Sequence, residues 1–257
     1  MARLFVGTSG WTYSSWRGGF YPEDLPSARW LSYYAEHFDT AEVNYSFYHL
    51  PRETTYENWY RRTPAGFVFA LKASRFITHI KRLDGVKESW NTFVQRALTL
   101  KEKLGSILLQ FAPSFRATDE NIERLAGFLR YAAGGGKPRI ALEFRHASCF
   151  EAPAIDLLRR NQAALVIAHS TRYPMPEVIA TAPFAYFRFH GPEAMFASSY
   201  SDTELRKWSR QMKAFLEGGA DVYAYFNNDV GGYAVANART LGRMLKKYSD
   251  RNATRRR

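Results

Sequence analysis

Six residues able to do chemistry occupy similar places along this chain, each at or just past the end of an apolar run. Lys72 closes Phe67-Val68-Phe69-Ala70-Leu71, Gln110 closes Ile107-Leu108-Leu109 and Glu143 closes Ile140-Ala141-Leu142. Arg188 closes Phe184-Ala185-Tyr186-Phe187, Asn227 closes Val222-Tyr223-Ala224-Tyr225-Phe226, and Glu42 lies near the end of the run 40–44. Carboxylates beside a lysine are the means of general acid/base catalysis, and an arginine offers oxyanions a planar fork of donors. The expected roles are Glu42 or Glu143 as acid/base, Lys72 as its partner and Arg188 as an anion clamp. The alternative is an ion-pair network that closes one end of the fold, since such networks also perturb titrations.

Side chains alternate along a strand, so shared faces can be read by parity. Glu42 shares a face with Asn44, Ala70 with Lys72, Leu108 with Gln110, and Ala141 with Glu143 and Arg145. Tyr186 shares one with Arg188 and His190, and Tyr223 and Tyr225 share one with Asn227. If these faces point inward, the polar residues meet at one mouth. Glu42, Glu143 and Asp229 oppose Lys72, Arg145 and Arg188, so the cations are built in and neither a metal nor another cofactor is expected. His169 and His190 could join Glu42 and Glu143 as ligands, but their spacing is not that of a metal motif. His79 and His146 read as loop histidines. The segment Asn227-Asn228-Asp229-Val230-Gly231-Gly232 precedes the last helix, where backbone N–H groups beside glycines could approach a phosphate held by Arg188 and His190. There Asp229 could equally cap the helix. Trp11, Tyr13, Trp16, Tyr45, Phe47 and Tyr48 could stack on a ligand ring or pack a loop on the rim.

Eight strands are predicted to carry these residues, at 3–7, 40–44, 67–72, 106–111, 139–144, 164–169, 184–190 and 221–226. Helical patterns separate them at 28–38, 53–62, 87–104 (ended by Gly105), 153–161 and 233–248. Thr118, followed by Asp119 and Glu120, and the Ser201-Asp202-Thr203-Glu204 box open two more. Only 170–183, with Pro174, Pro176 and Pro183, lacks a helical pattern. The alternation implies an α/β fold: a single TIM-like (β/α)8 barrel over 1–250, irregular between strands six and seven. A doubly wound sheet is disfavoured, because no Gly-x-Gly-x-x-Gly turn follows the first strand. Polar groups at the C-terminal strand ends are where such barrels keep their chemistry.

The 257 residues carry a net charge of +12, four of them from arginines in the last seven residues, a basic tail (251–257) expected to be disordered. The excess favours anionic partners. Cys149 is the sole cysteine and is expected to be a buried small hydrophobe. The first strand begins almost at Met1 and no run nears the ~20 apolar residues of a membrane span, so a cytoplasmic chain with no membrane partner is expected.

The chain resembles the YecE-like family, also called domain-of-unknown-function family 72. The resemblance rests on Gly7-Thr8-Ser9-Gly10-Trp11, Phe20-Tyr21-Pro22, Glu42-Val43-Asn44-Tyr45-Ser46-Phe47-Tyr48 and Lys72-Ala73-Ser74-Arg75-Phe76-Ile77-Thr78-His79. It continues through Leu109-Gln110-Phe111-Ala112-Pro113-Ser114-Phe115, Glu143-Phe144-Arg145-His146, Arg188-Phe189-His190-Gly191 and Tyr225-Phe226-Asn227-Asn228-Asp229. It implies a TIM-barrel-like fold and supplies no activity. Cys149-Phe150 stands where the family usually has Ser-Trp, a change expected to alter one pocket wall. Three functions fit the residues, in order: an enzyme on a phosphorylated or other anionic substrate, a nucleic-acid-binding protein or nuclease, and a glycoside hydrolase.

Overall fold

The structure is a computed structural model and describes residues 2–134 and 136–246. The basic tail and the end of the last expected helix lie outside the described residues. Eight strands follow in order: β1 Leu4–Thr8, β2 Thr40–Val43, β3 Val68–Lys72, β4 Leu104–Gln110, β5 Arg139–Glu143, β6 Ala164–His169, β7 Phe184–Phe189 and β8 Asp221–Phe226. The helices are α1 Trp30–His37, the single turn α2 Tyr45–Tyr48, α3 Glu53–Arg61, α4 Lys87–Ala97, α5 Asp119–Ala132, α6 Ala152–Arg160, α7 Asp202–Glu217 and α8 Tyr233–Met244. All strand pairs are parallel, in the order β1-β8-β7-β6-β5-β4-β3-β2. The result is the expected TIM-like barrel, and residues 170–183 contain no helix.

Strands buried on both faces read as apolar runs because both faces lose water. Phe5, Val68, Ala70, Leu108, Ala141, Val166, Tyr186, Tyr223 and Tyr225 fill the barrel interior. A larger outer layer, including Phe69, Leu71, Ile107, Leu142 and Phe187, packs under the helices. The caps act as the sequence implies. Thr118 accepts from Asn121 N, and Ser201 with Glu204 forms a full capping box. One helix differs from expectation. The pattern at 87–104 stops being α-helical at Ala97, and a short tight turn leads to β4. Gly105 lies inside β4 rather than ending a helix. A Cβ there would stand 2.3 Å from Val68 Cγ1, so this glycine lets β3 and β4 pack closely.

The ring of strands is not laddered all the way round. Between β1 and β2 the backbone makes one isolated bridge, Ser9 to Glu42. Below it the Tyr34 hydroxyl from α1 enters the seam. It accepts from Thr8 N and Thr8 Oγ1, both at 2.9 Å, and donates to Thr40 O at 3.0 Å. Gly7 makes room: a Cβ there would be 2.3 Å from Thr40 O and 2.9 Å from the hydroxyl. Thr40 Oγ1 bonds Val68 O and pairs with the Tyr225 hydroxyl inside the barrel. One phenol oxygen thus does the work of a ladder across this seam.

Tyr34→Phe keeps the ring and removes the oxygen. It strands two buried backbone groups, so the expected loss is about 2–4 kcal/mol. Urea unfolding should show a lower midpoint with an unchanged m-value; an unchanged midpoint would mean the seam closes without this hydroxyl.

Candidate active site at the C-terminal mouth

The inward parity of six strands brings their polar ends together. Arg188, from β7, sits at the centre and is 1% exposed. Its Nε donates to Glu42 Oε2 at 2.9 Å, its Nη2 to Glu42 Oε1 at 2.7 Å, and its Nη1 to Glu143 Oε2. Glu42 also accepts from Ser9 Oγ at 2.6 Å and the Tyr186 hydroxyl at 2.7 Å. Glu143 accepts in addition from Arg145 Nε at 3.0 Å. Burial works against the Arg188 charge, and Glu42 and Glu143 more than restore it. Burial alone would raise the Glu143 carboxyl; Arg188 and then Arg145 overcome that and hold it well below the usual carboxylate range. Three buried charges are tolerable here because each is paired and hydrogen-bonded.

Lys72 stands beside this cluster and is treated differently. Its Nζ donates to Gln110 Oε1 at 2.9 Å, and Arg145 Nη2 donates to the same oxygen at 2.9 Å. A neutral amide thus bridges two cations, and no carboxylate bonds the amine. Burial first, then Arg188, lowers the Lys72 pKa from 10.5 to about 7, although Glu143 and Glu42 pull the other way. The Phe47 ring lies 4.0 Å from Nζ. His190, deeper in, is lowered to about 3 by burial and Arg188 and is therefore neutral. Its Nδ1 lies 3.1 Å from Asn227 Nδ2, and its Nε2 lies 3.5 Å from Arg188 Nη1 and 3.9 Å from Glu143 Oε1.

Above these groups lies an open cleft of about 680 Å³. Lys72, Gln110, Arg145, Arg188 and Asn227 form its floor with Asn44, and Tyr13, Phe47, Tyr48, Arg75, His79, Phe196 and Asp229 line its walls. His79 is lowered to about 4 by burial and by Lys72, so it too is neutral. Burial raises the Asp229 carboxyl, and its side chain makes no cap bond. The capping role considered for Asp229 therefore falls away.

Glu42, Lys72, Gln110, Glu143, Arg145, Arg188, His190 and Asn227 are brought together as parity implied. Other expectations are not met. Arg188 is sealed by carboxylates and presents no free fork to an outside anion. Gly231 and Gly232 do not line the cleft, and Gly232 N donates back to Asp229 O. Their positive φ values (67° and 76°) serve the turn into α8. Trp11 and Tyr45 line a neighbouring cavity instead. Cys149 is buried and its thiol is pushed up to about 11, while neither it nor Phe150 reaches the cleft, so the departure there changes no cleft wall. His169 is held by the Tyr200 hydroxyl at 2.8 Å, and His146 contacts Ser148. Among the described residues no three His, Cys, Asp or Glu are grouped to hold a metal. The sequence marks Arg75 only as part of a family motif, and His79 reads there as a loop histidine. They reach the cleft through a single π-helical turn, Phe76–Ile80, a distortion often found at functional sites. Nothing in a local apolar pattern announces such a turn.

A parallel eight-stranded barrel with a buried charge cluster under an open C-terminal cleft places the molecule in the TIM-barrel class. The chain belongs to the family described as "Protein of unknown function DUF72", whose profile matches residues 5–257. It is 27% identical over 274 residues to UPF0759 protein YunF of Bacillus subtilis, covering 94% of each chain. The solved structure of a DUF72 family protein from Thermotoga maritima is similar at 29% identity and a TM-score of 0.84, over 95% of this chain and 99% of that one. PbGH5A, a glycoside hydrolase family 5 enzyme from Prevotella bryantii, overlays with a TM-score of 0.51 at 10% identity, over 95% of each chain; that likeness is one of fold alone. Among the described residues no helix is long and apolar enough to cross a membrane.

Arg188→Met should leave two buried carboxylates unpaired and lower stability by about 3–5 kcal/mol. Adding Glu42→Gln and Glu143→Gln should return part of that loss. In the parent, the stabilisation of Glu143 is fully present above its ordinary 4.5 and is lost as pH falls below that value, because the folded carboxyl gives up its charge last. Urea titrations of the variants at pH 7 and of the parent from pH 7 to 3 measure both effects. A loss under about 1 kcal/mol for Arg188→Met, against the range above, would show that the cluster does not hold the barrel together.

Proposed function

We propose that the protein is an enzyme acting on a small anionic substrate in this cleft, with the Lys72 amine as the group that exchanges a proton or attacks the substrate. The observation that carries this reading is a Lys72 amine that reaches the cleft, buried beside Arg188 and Arg145 with a neutral amide as its hydrogen-bond partner, surroundings that lower its pKa to about 7. An amine near neutrality is both a competent base and a nucleophile, and desolvation beside other cations is a known way to obtain one. Arg145 and Arg75 are the anion-holding groups. Arg145 is braced by Glu143, Gln110 and the Tyr173 ring at 4.3 Å, and a phosphate or carboxylate between it and Arg75 would sit beside Nζ. Glu42, Glu143 and Arg188 are the scaffold, since each carboxylate oxygen already accepts a hydrogen bond and Nε, Nη1 and Nη2 of Arg188 each donate to one of them. His190 and Asn227 orient the cluster from below.

The occupied carboxylates also weigh against glycoside hydrolysis, which needs two that face the sugar. A nucleic-acid reading keeps one observation in its favour. Tyr48 and Phe196, 66% and 36% exposed, stand in the wall of a cleft that also carries Arg75. Binding of single-stranded oligonucleotide that weakens steeply with salt would support it.

Competitive acetylation of the lysines across pH tests the main reading. Lys72 should react with a midpoint near 7, and exposed lysines near their ordinary value of about 10.4. Inorganic phosphate should protect Lys72 selectively. In a screen of phosphorylated and carboxylated metabolites, a turned-over compound should lose about 10²–10⁴-fold in kcat with Lys72→Met. With the amine as base, the parent rate should rise with pH through about 7. An ordinary titration of Lys72, or no protection by phosphate, would overturn the reading.

A further inference from the structure

A second cavity of about 400 Å³ adjoins the cleft. Tyr13 and Asn44 line both, so those two side chains are the wall between them. The second cavity is built unlike the first. Trp11 and Trp59 meet edge to face with ring centres 5.6 Å apart, and Trp59 stacks on Phe69. Leu31, Val43 and Ala28 add apolar surface. Among the described residues no Asp or Glu lines it, and the one cation there is Arg62. At the shared wall, Asn44 Oδ1 is buried with no hydrogen-bond partner. Buried acceptors are normally satisfied, so an unpartnered one in this wall calls for an explanation.

We propose that this cavity takes the non-reacting part of the substrate: a flat, uncharged aromatic or heteroaromatic ring, linked past Tyr13 and Asn44 to the anionic group beside Lys72. This rests on the reading of the cleft given above and adds the substrate class to it. Trp11 and Trp59 in the lining suit a planar ring, for which edge and face contacts add to area burial. The absence of acids in the lining disfavours a cationic occupant. With the Asn44 side chain turned toward the junction, a ligand N–H or O–H would satisfy its oxygen. The two cavities divide recognition as binding sites commonly do, with apolar walls for the body of the ligand and a few polar groups for its orientation.

Three probes test this on the full chain by calorimetry: inorganic phosphate, phenyl phosphate and indole. Phenyl phosphate should bind about tenfold or more tightly than inorganic phosphate, and indole, which carries no anion, should bind on its own. Ala28→Trp fills the cavity from an exposed position outside the cleft. It should remove both the phenyl advantage and the indole binding while leaving inorganic phosphate unchanged. Lys72→Met should weaken both phosphates and spare indole. The cavity proposal is overturned if phenyl phosphate gains nothing and indole does not bind, or if Ala28→Trp leaves both intact. Failure of inorganic phosphate to bind, with indole still excluded by Ala28→Trp, would instead sink the anionic reading of the cleft and leave the ring site standing.

Discussion

The guanidinium of Arg188 holds the top of this barrel together. One planar cation, removed from water, reaches Glu42 on β2 and Glu143 on β5 and thereby ties three strands across the ring. Through Glu42 it also engages Ser9 beyond β1 and Tyr186 on its own strand. A buried cation in this position demands carboxylates, and the carboxylates demand donors. The identity of six or seven side chains follows from that requirement. Tyr186 is part of it, since its hydroxyl satisfies a Glu42 oxygen that an apolar core would strand.

The same cation bears on Lys72. Burial does most to make a further positive charge unfavourable there, and the guanidiniums of Arg188 and Arg145 add to the effect. Gln110 accepts from the amine without compensating its charge. A carboxamide at that position leaves the amine suspended between its two protonation states, whereas a carboxylate would have fixed it as an ammonium. The contrast between saturated Glu143 and under-compensated Lys72 is the kind of divergence by which one site separates structural charges from working ones.

Much of this was legible in the sequence because buried parallel strands declare themselves as apolar runs, and side-chain alternation says which neighbours share their face. Glu42, Lys72, Gln110, Glu143, Arg188 and Asn227 were found that way. Parity gives direction but not partners. It could not show that Arg188 spends its donors on Glu42 and Glu143, nor that Lys72 would be left with an amide. The helix boundary at Ala97 was missed because residues 98–104 keep a helical composition while the chain must turn into β4. The sequence presents Trp11 and Tyr13 alike as rings for stacking on a ligand or packing on the rim; that Tyr13 and Asn44 divide the space in two depends on a loop conformation with no periodic signature. The glycines before α8 looked like a phosphate cradle, and their backbone serves a tight turn instead.

The seam between β1 and β2 changes how the charge cluster should be regarded. Glu42 is the residue at which β2 meets Ser9, so the carboxylate that pairs with Arg188 is also the clasp of the barrel. Proton uptake by that carboxylate would weaken its hold on Arg188 and on the Ser9 hydroxyl together. A reaction cycle that passed a proton through Glu42 would therefore loosen the closure once per turnover. A side chain that closes nothing is free of that liability, and Lys72, whose amine touches only an amide and an aromatic ring, is such a side chain.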